Sequence, residues 1–166
     1  MDDPFFMRQA LDEARQAFSA GEFPVGCVLV HEHQILVRAA RTGTSKNMTN
    51  EIDHAEMIAL RRLHALGKKV APEKTVLYCT MEPCLMCFGA ILLSGIGKIV
   101  YAYEDVMGGA SRCDPSHLPP LYQNRPISIV PHVLRDESLA LFKAYFSNPE
   151  NTYWKQSLLA DYTLDQ

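Results

Sequence analysis

The stretch from Thr75 to Tyr103 constrains this chain more than any other. Thr75–Cys79 is a short β-branched and aromatic run that reads as a strand, Pro83 is placed to open a helix carrying Leu85 to Leu93, and Lys98–Tyr103 reads as a further strand. Strand, helix and strand in such close succession imply parallel pairing through a crossover. Cys84 and Cys87 stand three positions apart on the first turn of that helix and so project to the same side. Unsatisfied N–H groups at a helix start favour thiolates, the form of cysteine that binds metal.

A second helix is predicted upstream. From His54 to Leu66 the apolar residues Ala55, Ile58, Ala59, Leu63 and Leu66 fit one face, and Gly67 is placed to end it. Two helix starts at the same end of a sheet can meet at one point, bringing His54 to Cys84 and Cys87. One imidazole and two thiolates occupy three corners of a zinc tetrahedron and leave the fourth for water, which separates catalytic from structural zinc. Glu56, two positions after His54, is then the candidate proton shuttle. Three duller readings stand beside this one. Asp53 and Glu56 have the spacing of a capping box, and a Cys-x-x-Cys pair can serve redox chemistry. A fourth ligand from Cys27, Cys79, Cys113, His31, His64, His117 or His132 would close the site, although none has motif spacing to the pair.

The rest of the chain is framework by this reading. Asp3 and Pro4 read as N-cap and first position of an opening helix, with Phe6, Met7, Ala10, Leu11, Ala14, Ala17 and Phe18 at helical spacing before Gly21. Phe23–Val30 and Ile35–Ala40 read as an antiparallel hairpin, and Arg41–Asp53 as a polar loop. Glu104–Pro126 is irregular, Ile127–Val133 reads as an edge strand because of Pro131, and Asp136–Phe146 and Asn151–Tyr162 read as helices. With 166 residues, 48% hydrophobic, one domain is expected. A net charge of -3 gives no bulk attraction to a polyanion. Five cysteines, an odd number, suit a reducing compartment, so a cytoplasmic location is expected. Neither a membrane span nor a secretory signal is expected, since no apolar run is long enough and Met1-Asp2-Asp3-Pro4 opens with acids.

His54-Ala55-Glu56 followed by Pro83-Cys84-x-x-Cys87 resembles the zinc-dependent nucleobase deaminases of the cytidine deaminase superfamily. Gly21-Glu22-Phe23-Pro24-Val25-Gly26, the run Glu82–Ile91 and the Gly-Gly-Ala of Asp105–Ser111 look most like the tRNA adenosine deaminase and guanine deaminase branch, over about Met7 to Phe146. The resemblance implies an α/β fold, a three-layer α/β/α sandwich with a five-stranded mixed sheet. It implies Zn²⁺ on His54, Cys84 and Cys87, Glu56 as proton shuttle, and a homodimer. Val25, Ala55 and Asn47 are the candidate substrate contacts.

Two departures from the branch direct the choice of substrate. The branch carries a substrate-binding asparagine at the end of its second strand, where this chain has Ala39-Ala40-Arg41-Thr42-Gly43-Thr44. Its tRNA enzymes end in a basic helix, whereas Leu141–Gln166 holds Lys143 and Lys155 against Glu150, Asp161 and Asp165. The sequence therefore favours deamination of a small molecule, a free nucleobase, nucleoside or related purine-like amino-heterocycle. Adenosine-to-inosine editing of tRNA is the first alternative, and a non-catalytic zinc-stabilised interaction module the second.

Overall fold

All seven residues from Thr75 to Met81 are buried, as in a strand covered on both faces. In this computed structural model, which describes residues 2–45, 49–67 and 69–166, it is the central strand, β3, of a five-stranded mixed sheet. The others are β1 (Gly26–His31), β2 (Gln34–Ala40), β4 (Lys98–Tyr103) and β5 (Ser128–Val130), in the spatial order β2-β1-β3-β4-β5. β1 is antiparallel to both β2 and β3, while β3, β4 and β5 run parallel. The expected parallel crossover from β3 to β4 runs through α3 (Leu85–Leu93). The remaining helices are α1 (Asp3–Ser19), α2 (Ala55–Ala65), the four-residue α4 (Pro120–Gln123), α5 (Arg135–Ser147) and α6 (Leu158–Asp165).

Strand alternation divides the core into two layers. Cys27, Leu29, Leu77, Cys79, Ile99 and Tyr101 face α2 and α3 with Ala59, Phe88 and Ile91. Val28, Val30, Val76, Tyr78, Val100 and Ala102 face α1 with Phe6, Met7, Ala10 and Leu11. The result is the three-layer α/β/α sandwich. Gly26 lets the second layer close tightly, because a Cβ there would lie 2.4 Å from both Ala10 O and Ala14 N of α1.

Several boundaries differ from the sequence reading. The cap of α1 is Asp2, whose carboxylate accepts from Phe5 N–H at 3.0 Å. Asp3, expected as the cap, instead accepts from Tyr78 Oη at 2.6 Å and from Lys98 Nζ at 2.8 Å, tying the start of α1 to β3 and β4. β1 begins at Gly26 rather than Phe23, since Pro24 has no N–H to donate to a ladder and Phe23 N–H is taken by Thr44 Oγ1 at 2.8 Å. β5 stops at Val130, before Pro131, at the sheet edge. The last helix starts at Leu158 rather than Asn151, capped by Ser157. Trp154, at φ 54°, stands in the left-handed region that a right-handed helix cannot pass through.

Candidate metal centre and its cleft

His54 and Cys84 are both N-cap residues, of α2 and α3, and neither uses its side chain as a cap. The two helix starts thus meet as expected, beyond the carboxyl end of β3, and their free N–H groups surround the point where the ligands converge. His54 Nδ1 lies 3.5 Å from Cys84 Sγ and 3.5 Å from Cys87 Sγ. Zinc bonded tetrahedrally to nitrogen at ~2.0 Å and to sulfur at ~2.3 Å separates those atoms by roughly 3.5 Å, so the donor set fits the ion. Among the described residues no fourth His, Cys, Asp or Glu joins the group. Cys27 and Cys79 lie opposite one another on β1 and β3, buried in the core. An open fourth position is therefore what this geometry provides.

The capping-box reading of Glu56 does not match the backbone. The cap of α2 is His54, and the Asp53 carboxylate is engaged by Arg61 and by Asn50 Nδ2, at 2.5 and 2.7 Å. Glu56 is 3% exposed, and burial pushes its carboxyl above the usual range. A hydrogen bond with Cys87, assisted by His54, holds the Cys84 thiol down to about 4 against the pull of burial. The Cys87 thiol is pushed up by that same bond and by burial. For His54 burial opposes the charged form, but the Cys84 bond and the Glu56 charge outweigh it and raise the imidazole. In the metal-free chain a thiol shifted down, a thiol shifted up and a carboxyl shifted up thus lie together.

A cleft opens onto this group, concave and largely apolar as small-ligand sites usually are. His54, Glu56 and Cys84 line its floor together with Glu82, and Phe23, Val25, Met81, Met107 and Leu159 make its apolar walls. Val25, expected to touch the base, lies in the cleft lining. Ala55 is fully buried in the core layer under α2 and is not among the lining residues. Asn47 lies outside the described residues.

Sequence reasoning missed the C-terminal wall. Tyr153 and Trp154 reach the cleft because Phe23 packs against Phe142, Tyr145, Phe146 and Tyr153, with ring centroids 5.2 to 6.0 Å apart. Arg41 was missed too. It is 2% exposed, donates to the carbonyls of Thr42 and Asp53, and reaches Tyr153 Oη at 3.4 Å. No spacing rule marks such residues, although an arginine ending an apolar strand and the single tryptophan were visible signals.

A family model described as the cytidine and deoxycytidylate deaminase zinc-binding region matches residues 1–103. The chain belongs to this family of zinc-binding deaminases. It is a zinc-dependent hydrolytic deaminase. This deaminase is 35% identical over 145 residues to a tRNA-specific adenosine deaminase of Bacillus subtilis (strain 168), covering 87% of this chain and 88% of that one. It is 32% identical to a tRNA-specific adenosine deaminase of Buchnera aphidicola over 152 residues, 88% and 95% of the two chains. A solved structure from a study of A-to-I editing by tRNA:A34 deaminases matches with a TM-score of 0.69 at 31% identity, over 82% of this deaminase and 98% of that chain. A guanine deaminase from Nitrosomonas europaea shares the fold, with a TM-score of 0.65 at 21% identity, over 86% and 83% of the chains.

These relatives overturn the expectation of a free nucleobase, nucleoside or amino-heterocycle as substrate. That expectation rested on a missing asparagine and an acidic tail. The tail packs inward through Leu159, Ala160 and Thr163, and its acids Glu150, Asp161 and Asp165 stay exposed, while Tyr153, Trp154 and Leu159 are the tail residues that line the cleft. Net charge sums the whole surface, whereas a nucleic acid samples only the part around the cleft. Among the described residues no helix is long and apolar enough to cross a membrane.

Proposed function

We propose that this deaminase converts adenosine to inosine in tRNA. The observation that carries the reading is the cleft itself, in which three convergent ligands with an open position and the buried Glu56 lie at the floor of an aromatic and apolar slot. Full-length relatives named tRNA-specific adenosine deaminase support the choice of ring and of carrier. A base can reach such a floor only when extruded from its stack.

His54, Cys84 and Cys87 hold the zinc, which supplies the Lewis acid that makes water nucleophilic near neutral pH. Glu56 accepts a proton from the attacking water and delivers it to N1 of the adenine ring as the C6–O bond forms. It then passes the second proton to the amino group as the C6–N bond breaks, so that adenosine and water give inosine and ammonia. The raised carboxyl suits this work, because it both takes and returns a proton. Phe23, Val25 and Tyr153 exclude water around the ring.

Incubation with a tRNA anticodon stem-loop containing adenosine, followed by nucleoside analysis, tests the proposal. Inosine and equimolar ammonia are expected, with binding that weakens steeply as salt rises. No inosine, or binding indifferent to salt, overturns it. The homodimer belongs to the same proposal, supported by Leu85 and Leu93 of α3, which are 63% and 44% exposed. Sedimentation at micromolar concentration reads it directly.

A further inference from the structure

We propose that Glu51, gripped by Arg41 and Tyr153, is the carboxylate that orients His54 as a metal ligand, so that the C-terminal segment helps to set metal affinity. His54 presents Nδ1 to both sulfurs at 3.5 Å, and a metal at Nδ1 leaves the ring proton on Nε2. That Nε2 is buried and has no hydrogen-bond partner. Buried donors in native proteins are almost always paired, and metal-ligating histidines in particular donate their second nitrogen to a carboxylate, carbonyl or water.

The nearby acceptor is Glu51 Oε2, 3.8 Å from Nε2. Its carboxylate is already constrained from the far side, since Tyr153 Oη donates to Oε2 at 2.9 Å and Arg41 Nη2 lies 3.6 Å from the same oxygen. Arg41 is itself fastened by the carbonyls of Thr42 and Asp53, and Tyr153 is packed against Phe23. A movement of Glu51 by under an ångström turns the 3.8 Å approach into a hydrogen bond, and the half-exposed side chain is free to make it. Arg41 and Tyr153 restrict where the carboxylate can settle, so they are positioning residues at one remove. They come from the end of β2 and from the turn before α6, and the arrangement exists only once the C-terminal segment has docked.

This inference does not depend on which substrate the enzyme takes. Zinc affinity of the full chain, measured by competition with a chromophoric chelator, reads it without any turnover. Glu51→Ala is expected to lower affinity roughly 10–100-fold, the usual effect of removing such an outer partner. Tyr153→Phe, which deletes one hydroxyl, is expected to lower it by a smaller factor. Glu51→Asp keeps the charge but withdraws it by one methylene, and is expected to lie near Glu51→Ala. Glu51→Gln, whose amide oxygen still reaches Nε2, is expected to recover part of the affinity. The cobalt-substituted protein gives a second reading, with a shifted visible d–d spectrum in Glu51→Ala. Melting of the metal-free variants separates orientation from a loosened fold. Affinity within twofold of wild type in Glu51→Ala overturns the proposal, as does a loss no larger than the metal-free destabilisation accounts for.

Discussion

One carboxylate oxygen joins Glu82 to Ser111 twice, accepting from Ser111 N–H at 3.0 Å and from Ser111 Oγ at 2.5 Å. The other oxygen accepts from Asp105 N–H at 3.0 Å. Glu82 directly precedes Pro83 and Cys84, so the irregular segment after β4 is fastened beside a metal ligand and brings Asp105 and Met107 to the cleft. Gly109 is pressed against this carboxylate. A Cβ there would stand 2.4 Å from Glu82 Cδ and 2.6 Å from the backbone oxygen of Asp105. Gly109→Ala is therefore expected to destabilise the fold by about 1–3 kcal/mol, the usual cost of forcing atoms into a filled site. Thermal melting reads the loss, and an unchanged Tm would show that the segment is not held.

Glu56→Gln separates chemistry from stability. Loss of a general acid–base group is expected to lower kcat by about 10²–10⁴-fold with zinc content unchanged. The metal-free variant should behave in the opposite sense. Burial raises the folded carboxyl above its unfolded value of 4.5, so the folded state holds its proton longer than the unfolded chain. Native stability then falls as pH climbs from the unfolded to the folded value, and the deficit persists above both. Glutamine removes that deficit, so the metal-free variant should melt higher than wild type at neutral pH and nearly equally below pH 4. Equal melting at every pH would contradict the burial argument.

Glu104 predicts the reverse pH trend. At the end of β4 its carboxylate accepts from Arg135 of α5 at 2.5 and 2.8 Å and from Tyr162 of α6 at 2.8 Å. Burial alone would raise this carboxyl, but the Arg135 and Tyr162 bonds hold it down to about 2. Stability from this group is present above the unfolded value of 4.5 and is lost as pH falls from there to about 2. Glu104→Gln should cost about 1.5–3 kcal/mol at pH 7, the range for hydrogen bonds to a charged group, and progressively less in acid. Denaturant unfolding across pH 2 to 7 checks it, and a constant difference would sink the assignment.

Metal removal should expose a graded thiol reactivity. In the metal-free chain Cys84 is held near 4 and is partly exposed, while Cys27 and Cys79 are buried and pushed up by that burial. Iodoacetamide is expected to label Cys84 long before Cys27 or Cys79, and prior zinc loading to suppress it. Peptide mapping by mass spectrometry decides, and equal labelling with and without zinc would contradict the ligand assignment.

The metal site was legible from the sequence because its residues sit on local rules. Helical spacing places Cys84 and Cys87 on one side of one turn, and His54 and Glu56 stand two positions apart at one helix start, so short stretches of chain carry nearly all the information. The parallel β3–α3–β4 unit was legible for the same reason. Asp2 and Asp3 were confused because either can cap a helix, and the contact that decides, Asp3 with Lys98 and Tyr78, joins residues far apart in the chain.

What the sequence determined by itself was the sheet-and-helix framework and the convergence of His54, Cys84 and Cys87 as a zinc set with an open position, while its resemblance to a known family implied the deaminase chemistry. What only tertiary structure decided was the surroundings. Arg41 buried against Tyr153, the C-terminal turn forming a wall of the cleft, and Glu51 facing the free nitrogen of His54 are contacts across 112 and 102 positions or brought about by them. The reason is physical. Backbone periodicity determines which way neighbouring side chains point, but a partner a hundred residues away is selected by packing of the whole chain, here the aromatic cluster around Phe23, and leaves no periodic trace in the sequence.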